Sequence, residues 1–306
     1  MPVFVKFIRF VFIVALMFVV LVVSQLPDNN LHIVSCDVGQ GDATLIIYKS
    51  TQIVIDGGLP NGKLDTCLAS YVPFWDRTIE LIVVTHPQLD HFGGLIHVLT
   101  SHRVEKVLIS GLENSTIEYQ VLKNTIGVSG AQIITPENTS TIGYGLLQLD
   151  ILWPEQGFVT DNSQPVITSD TSLKLGNVVS DRDLNDFSIV LMVSLGEFDC
   201  LMTGDIGPAI SDIVAKKIDA DFPNPVECIK TPHHGSKNGM SQKLLSSLDL
   251  SIATISVGKD NQFGHPHKQI LDMFSEAGVK IYRTDELGSI EIVSDGERYW
   301  IDGEKQ

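Results

Sequence analysis

The segment from Val83 to Gly94, VVTHPQLDHFGG, carries two histidines and an aspartate between an apolar run and a pair of glycines. The apolar run is typical of a strand that is buried on both faces, and the loops after such strands carry the sites of α/β proteins. Imidazole nitrogen and carboxylate oxygen are the usual protein ligands of zinc, and they also suit manganese. The segment therefore predicts a metal-binding loop at the end of a core strand.

Further histidines and acidic residues also follow predicted strands. Four of the nine histidines fall in two short segments, HPQLDH and HHG. We expect Asp205, in LMTGD, to be a carboxylate shared by two metals about 3.5–4 Å apart. Asp56, in VIDGG, is expected either to orient a ligand or to cap a turn. The complete set at strand ends is Asp37, Asp42, Asp56, His86, Asp90, His91, Asp205, His233 and His234.

The charge balance limits the possible partners. The chain has 306 residues, of which 21 are basic and 37 acidic, and its net charge is -16. An acidic surface repels polyanions, which argues against broad nucleic-acid binding through a basic face. A bound cation dominates the charge in its own pocket, so a phosphate can still be handled locally.

The N-terminus is apolar from Val3 to Val23 apart from Lys6 and Arg9. Its length just reaches the roughly 20 residues that span a bilayer. We expect residues 1–26 to form an uncleaved membrane anchor, with a cleaved signal peptide as the alternative. The positive-inside rule then predicts that residues 27–306 lie outside the cytoplasm, anchored or secreted.

The four cysteines are Cys36, Cys67, Cys200 and Cys228. None forms a C-x-x-C pair, so a zinc ribbon is not indicated. We expect buried free thiols, because most of these cysteines lie in apolar runs typical of core strands. A disulfide is the alternative, and it would be compatible with export.

The order of the predicted elements indicates an α/β fold. Short β-rich runs come first, and mixed strands and helices follow, twice along the chain. This order favours two mixed sheets packed together with helices outside, a four-layer αββα sandwich preceded by an N-terminal hydrophobic helix. Residues 155–183 are polar, and we expect them to form an inserted, irregular excursion.

Several motifs in this order resemble the metallo-β-lactamase superfamily and, more closely, the hydrolase domain of the ComEC competence proteins. These motifs are DVGQGDA, VIDGG, THPQLDHFGG, LMTGD, TPHHGSKNG and FGHP, and the resemblance covers about Leu31 to Asp302. It implies that residues 27–306 form one αββα hydrolase domain with a two-metal site, in which a metal-bound hydroxide attacks the substrate. The ComEC branch further implies nuclease action on a DNA strand at the cell surface.

The resemblance also implies roles for individual residues. The implied metal ligands are His86, Gln88, Asp90, His91, Asp205 and one of His233 and His234, with His234 preferred. Asp37, Asp42 and Asp56 fall on motif positions close to the metals. Asn185 and Ser188 match the Asn-x-x-Ser that the ComEC-like branch carries in place of the superfamily's middle histidine, and Ser236 is expected in the pocket.

Gln88 departs from the family pattern. This position is usually His in the metallo-β-lactamase superfamily and often Asp in the ComEC-like branch. A neutral amide is a poorer zinc ligand than imidazole or carboxylate. The implied first site, with His86, Gln88 and the shared Asp205, is therefore weakened. The second keeps Asp90, His91, Asp205 and a final histidine. We accordingly expect one or two divalent ions, zinc or manganese.

The predicted chemistry is metal-assisted hydrolysis of a phosphodiester. Asp90 is expected to orient or deprotonate the attacking water, and His265 or Lys237 to stabilise charge on the substrate. The expected partners are the phosphodiester, with DNA as a candidate, and the membrane; no protein partner is predicted. The alternatives are a cell-envelope phosphodiesterase, a lactonase or β-lactam hydrolase, and a non-catalytic surface module with a degraded metal site.

Overall fold

The computed structural model describes residues 2–136, 139–165 and 178–302. The strands of the first half of the chain are β1 (Leu31–Ser35), β2 (Thr44–Tyr48), β3 (Thr51–Ile55), β4 (Thr78–Val84), β5 (Arg103–Ile109), β6 (Gln132–Ile134), β7 (Thr141–Tyr144) and β8 (Leu147–Trp153). Those of the second half are β9 (Gln164–Pro165), β10 (Val178–Val179), β11 (Val190–Leu195), β12 (Phe198–Met202), β13 (Cys228–Lys230), β14 (Ile252–Ile255), β15 (Lys280–Arg283), β16 (Ile290–Ser294) and β17 (Tyr299–Asp302).

The helices alternate with these strands. They are α1 (Pro2–Ser24), α2 (Lys63–Tyr71), α3 (Leu89–Phe92), α4 (Leu95–Ser101), α5 (Ile117–Ser129), α6 (Phe158–Asp161), α7 (Pro208–Asp221), α8 (Gln242–Ser246), α9 (Lys268–Glu276) and α10 (Thr284–Leu287). Two 3₁₀ turns cover Leu184–Phe187 and Pro232–Gly235.

Two mixed sheets form the centre of the fold. The first has eight strands in the order β17-β16-β1-β2-β3-β4-β5-β6, and the second has seven in the order β15-β14-β13-β12-β11-β8-β7. Strands β3 to β6 are parallel in the first sheet, and β12 to β15 are parallel in the second. The remaining pairs are antiparallel hairpins and neighbours, which makes both sheets mixed.

Three clusters of buried side chains fill the spaces between the layers of the sandwich. Strand β4 contributes side chains to two of them. Its residues Leu81 and Val83 pack between the sheets with side chains of β11 and β12, whereas Ile82 and Val84 pack on the other face with α2, α4 and α5. A strand covered on both faces is apolar throughout rather than alternating. A third cluster lies between the second sheet and α7, α8 and α9. The predicted four-layer fold is confirmed.

Helix α1 stands apart from these layers. Its segment Phe4–Val23 has a mean hydropathy of 2.7, and none of it is buried. The helix is long and apolar enough to cross a membrane, and a signal sequence meets the same criterion.

The expectation of free thiols is wrong, because all four cysteines are paired. Cys36 follows β1 and is bonded to Cys67 on α2, with 5.9 Å between their Cα atoms. Cys200 is bonded to Cys228, its direct neighbour across the parallel pair β12–β13. Separations of 31 and 28 residues hide both pairings in the sequence.

The expected excursion at residues 155–183 falls partly outside the described residues, since 166–177 are not among them. The described part is more regular than expected. It contains α6 and the short antiparallel pair β9–β10.

Candidate metal centre

The two sheets bring four buried side chains together at one edge of the sandwich. Asp42 lies in the turn between β1 and β2, and His91 lies seven residues beyond the end of β4. Asp205 and His234 follow β12 and β13 of the second sheet. One ligand atom of each residue lies within 4.8 Å of those of the other three. We call these four residues the central group.

The glycine pairs of the sequence allow the loops around the central group to pack in direct backbone contact. A Cβ atom at Gly94 would lie 2.1 Å from the carbonyl oxygen of Gly57, and one at Gly41 would lie 2.2 Å from that of Asp90. Gly41 also has a φ of 123°, which side chains rarely tolerate. The Gly-rich turn before Asp42 therefore packs directly against the loop that carries Asp90 and His91. The N–H of Asp42 donates to the carbonyl of Asp90 at 3.1 Å.

His91 is held through one ring nitrogen and presents the other. Its Nδ1 lies 2.8 Å from Oδ2 of Asp56, which also accepts a hydrogen bond from the Thr85 hydroxyl at 2.7 Å. Its Nε2 lies 3.2 Å from Oδ2 of Asp205 but, within the described structure, makes no hydrogen bond. Asp56 thus contacts the His91 ring on the side away from Asp205, and its role in orienting a metal ligand stays a prediction.

His234 is held in the same way. Its Nδ1 donates to the carbonyl of Ser256 at 3.0 Å, and its Nε2 lies 3.5 Å from Asp205 and 3.6 Å from Asp90. His233 and His234 both have left-handed backbone, with φ of 50° and 54°. Such conformations cost of order 1 kcal/mol or more each and concentrate at functional sites.

His86 completes a set of three oriented imidazoles. It is fully buried, its Nδ1 lies 3.1 Å from the Thr85 hydroxyl, and its ring centroid is 4.1 Å from that of His91. Among the described residues, Nε2 of His86, His91 and His234 and one oxygen of Asp205 are buried without a hydrogen-bond partner. Buried polar atoms are normally satisfied, and a histidine fixed through Nδ1 is typical of metal ligands. This donor set fits a divalent metal.

Lys230 is a charged residue in the site that the sequence reading missed. It ends β13, is buried, and its ammonium contacts Oδ2 of Asp42 and lies 3.8 Å from Asp205. It also donates to the carbonyl of Gly204 at 3.4 Å. A lysine inside the apolar run VECIKTP was the available signal, since an unpaired buried lysine is strongly disfavoured.

The charged side chains in and around the central group shift one another's pKa values. Burial raises the pKa of Asp205, but the nearby His91 and His234 hold it well below the usual range. Burial lowers the pKa of His234, but Asp205 and Asp42 raise it to about 10. Burial and the neighbouring His91 lower the pKa of His86 to about 3. Protons therefore balance part of the buried negative charge, and metal binding would displace them.

The Gln88 side chain is hydrogen-bonded to Asn185, another of the predicted site residues. Its amide nitrogen donates to Oδ1 of Asn185 at 3.1 Å. Ser188 is buried, and its hydroxyl accepts from the N–H of Asp205 at 3.2 Å, which helps to fix that carboxylate. Asp90 is partly exposed at the mouth, beside His234.

The remaining predicted residues lie further from the central group. Asp37 is turned outward to Lys63, at 3.0 Å. His233 faces His265, with ring centroids 5.7 Å apart, and His265 stacks at 6.2 Å on His234. Ser236 is buried and accepts from the N–H of Asn238, at 3.3 Å, whereas the Lys237 side chain is exposed. The structure brings Asp42 into the central group, and Asp90 lies beside it, 3.6 Å from Nε2 of His234.

The fold and the site define a protein with the metallo-β-lactamase fold. The family model described as the metallo-beta-lactamase superfamily matches residues 36–154. The structure is similar to that of the metallo-beta-lactamase fold protein YhfI from Bacillus subtilis, with a TM-score of 0.51, 10% identity, and coverage of 89% of this chain and 99% of that one. It is also similar to a variant of the CmlA beta-hydroxylase, with a TM-score of 0.50, 13% identity, and coverage of 84% and 52%. At these identities the likeness shows the fold alone.

The particular relatives are competence and recombination proteins, so the predicted resemblance is confirmed. The chain is 24% identical over 277 residues to ComE operon protein 3 of Bacillus subtilis (strain 168), covering 83% of this chain and 32% of that protein. It is 24% identical over 283 residues to Recombination protein 2 of Haemophilus influenzae, covering 92% and 31%. It is 22% identical to competence protein ComA of Neisseria gonorrhoeae, covering 88% and 33%. The chain spans about a third of the length of these relatives.

Proposed function

We propose that this protein is a metal-dependent phosphodiesterase held at the outer face of a membrane. The observation that carries the proposal is the central group, in which Nε2 of His91 and of His234 face Asp205 and have no hydrogen-bond partner in the part of the chain that the structure describes. A divalent cation that displaces the histidine protons would complete this arrangement and satisfy the buried polar atoms, which are costly when left without a partner.

One divalent ion would be held by His91, His234 and Asp205, with Asp42 or Asp90 as a further carboxylate. A bound ion of this kind makes hydroxide available near neutral pH and polarises a phosphoryl oxygen. Of the two carboxylates, Asp42 is already paired with Lys230, whereas Asp90 is partly exposed. Asp90 is therefore our candidate for contact with the attacking water.

The residues that could bind a second ion form a weaker ligand set. Its ligands would be His86, Asp205 and the Gln88 amide, and that amide is hydrogen-bonded to Asn185. An amide oxygen is a weaker zinc ligand than the carboxylate or imidazole that the family resemblance implies for this position. We propose that the purified protein holds one tightly bound ion, with zinc and manganese as the candidates.

Other residues would act on the substrate. His265 stacks on His234 at the mouth, and burial together with the charge on His234 lowers the pKa of His265 to about 4. A neutral imidazole can donate one hydrogen bond to a phosphate oxygen. Lys237 is exposed near the mouth, beside His267, and supplies a positive charge for the phosphodiester.

The relatives and the cysteines support the substrate and the location. The relatives of this chain include a ComE operon protein and a recombination protein, which favours a phosphodiester over a lactone or β-lactam as substrate. Two disulfides are typical of an oxidising compartment, which agrees with a domain exported behind α1. DNA is the leading substrate within this class, and a cell-envelope phosphodiester is the alternative.

Hydrolysis of bis-p-nitrophenyl phosphate by the purified full chain, with added manganese or zinc, tests the proposal. We expect activity that EDTA removes and that His91→Ala abolishes. His97→Ala is the matched control, because His97 also forms an Asp–His pair, with Asp65 at 2.7 Å, but is exposed on α4. Metal-independent activity, or full activity in His91→Ala, would contradict the proposal, and nitrocefin and lactone assays test the alternative substrates.

A further inference from the structure

An exposed aromatic pair lies in the loop between α2 and β4. Phe74 is 51% exposed and Trp75 is 43% exposed, and their rings meet edge to face with 4.9 Å between centroids. Large aromatic side chains normally contribute to a core or an interface, because each buries a large apolar area. Neither ring is used by the candidate metal centre, so the pair needs another explanation.

The pair lies beside the point where α1 meets the domain. Helix α1 ends at Ser24, and Oε1 of the next residue, Gln25, accepts a hydrogen bond from the N–H of Phe74 at 3.3 Å. The linker after Gln25 runs along a cleft of about 270 Å³ that Pro27, Tyr71 and Pro73 help to line. The exit of the apolar helix and the aromatic pair are thus fixed to each other.

This edge of the sandwich is opposite the candidate metal centre. The aromatic loop precedes Thr78, where β4 begins, and His86 follows Val84, where β4 ends. Seven strand residues at about 3.3 Å each place roughly 23 Å between the two ends. Strand β1 runs in the same direction, from Leu31 beside the linker to Ser35, which precedes the Gly-rich turn of the site.

Basic residues are found at the same edge. Lys49 lies in the turn between β2 and β3, Arg77 follows the aromatic pair, and Arg103 begins β5 in register with Thr78. The acidic residues Asp28 and Asp76 are also there. Asp295, Glu297 and Arg298, in the turn between β16 and β17, lie at this edge as well, so the edge carries charges of both signs. Mixed aromatic and basic side chains are typical of protein surfaces at the membrane–water interface.

We propose that Phe74 and Trp75 insert into the headgroup region of the bilayer that α1 spans. The domain then rests on the membrane by this edge, and the candidate metal centre opens away from it. This inference depends on the proposed anchoring role of α1. It implies that the substrate arrives from the aqueous side, and that lipid headgroups of the same bilayer do not reach the site.

Quenching of tryptophan fluorescence by brominated lipids tests the proposal on the full chain in vesicles of phosphatidylcholine and phosphatidylglycerol. The chain has three tryptophans, and Trp153 is buried. The variant Trp300→Phe keeps Trp75 as its exposed indole. The variant Trp75→Phe/Trp300→Phe/Phe263→Trp carries its exposed indole near His265 instead, where Phe263 is 64% exposed. The double variant Trp75→Phe/Trp300→Phe retains Trp153 alone, so its fluorescence gives the background emission of that buried tryptophan.

We expect brominated lipid to reduce the emission of Trp300→Phe well beyond that of the double variant, and to leave the Phe263→Trp variant at the level of the double variant. Co-flotation with vesicles is measured in parallel. Failure to float would overturn both the anchor and this inference. Flotation without quenching of Trp75 would overturn the docked edge alone, and quenching in the Phe263→Trp variant would overturn the orientation of the site.

Discussion

Asp56 and His91 form a buried pair in which the carboxylate lies 2.8 Å from Nδ1 of the imidazole. The pair fixes the ring so that Nε2 faces Asp205, across a gap of 3.2 Å. Two further hydrogen bonds, from the N–H and the hydroxyl of Thr85, hold the Asp56 carboxylate itself. The orientation of His91, our candidate metal ligand, is therefore fixed by Asp56 and Thr85, which lie on the side of the ring away from Asp205.

We predict that Asp56→Asn lowers metal affinity by about 10–100-fold, the usual effect of removing a partner that orients a ligand. The Asp56 carboxylate faces three donors, the N–H and hydroxyl of Thr85 and Nδ1 of His91, and the asparagine amide has one acceptor oxygen for them and places an NH₂ group where the other oxygen was. Calorimetric titration of the metal-free protein with zinc measures the effect. Asp65→Asn is the control, because Asp65 forms the equivalent pair with His97 on the surface. An unchanged affinity in Asp56→Asn would contradict the role of Asp56 in orienting His91 for the metal.

We predict that Gln88→Asp raises the number of tightly bound metals from one to two per chain. The substitution places a carboxylate beside His86, whose Nε2 lacks a partner within the described residues. Elemental analysis after dialysis measures the number of bound metals. Asn185→Ala serves as the control, since it also breaks the Gln88–Asn185 hydrogen bond but adds no ligand. Two metals in the wild-type protein would contradict the prediction.

We predict that Lys230→Met destabilises the metal-free protein by about 3–5 kcal/mol, because removing one partner leaves buried carboxylates without a balancing charge. The carboxylates are those of Asp42 and Asp205. A bound cation can replace the lost charge, so added metal should restore much of the stability. Thermal unfolding with EDTA and with excess manganese measures both effects. An equal loss of stability in EDTA and in excess manganese would contradict this role of Lys230.

We predict that His32 stabilises the fold most at mildly acidic pH. Burial lowers its pKa, but Glu291 at 2.7 Å and Asp28 at 3.0 Å raise it above the usual value of 6.5. A raised pKa means that the charged form is favoured in the folded state. The stabilisation is therefore complete below pH 6.5 and is lost as the pH rises through the higher folded-state value.

The comparison of wild type with His32→Gln measures this effect. Urea unfolding of the detergent-solubilised chain at about pH 5.5 and about pH 8.5 should give a larger stability difference at the lower pH. A difference that grows with pH would mean that His32 is not charged in the folded state.

The sequence allowed the fold, and the position of two site histidines, to be predicted for a physical reason. Strand β4 is apolar throughout because both of its faces are covered, and the loop after it carries His86 and His91 together. Local patterns of this kind are visible in a sequence. The motif order also pointed to Asp205, since it follows a recognisable strand.

Contacts between distant segments were the part that could not be predicted. Lys230 and Asp42 are 188 residues apart, and only the packing of one sheet on the other makes them an ion pair. The disulfide between Cys200 and Cys228 depends likewise on which strands become neighbours. The place of Asp42 in the central group has the same origin, because Asp42 comes from the first sheet, whereas Asp205 and His234 come from the second.

Anomalous diffraction at the zinc edge, from crystals of the full chain soaked in zinc, tests the central claim most directly. The account predicts one strong peak, about 2.0–2.2 Å from Nε2 of His91, Nε2 of His234 and a carboxylate oxygen of Asp205. A second peak of equal height beside His86 would contradict the single tightly bound ion. The absence of a peak at His91 and His234 would contradict the metal site itself.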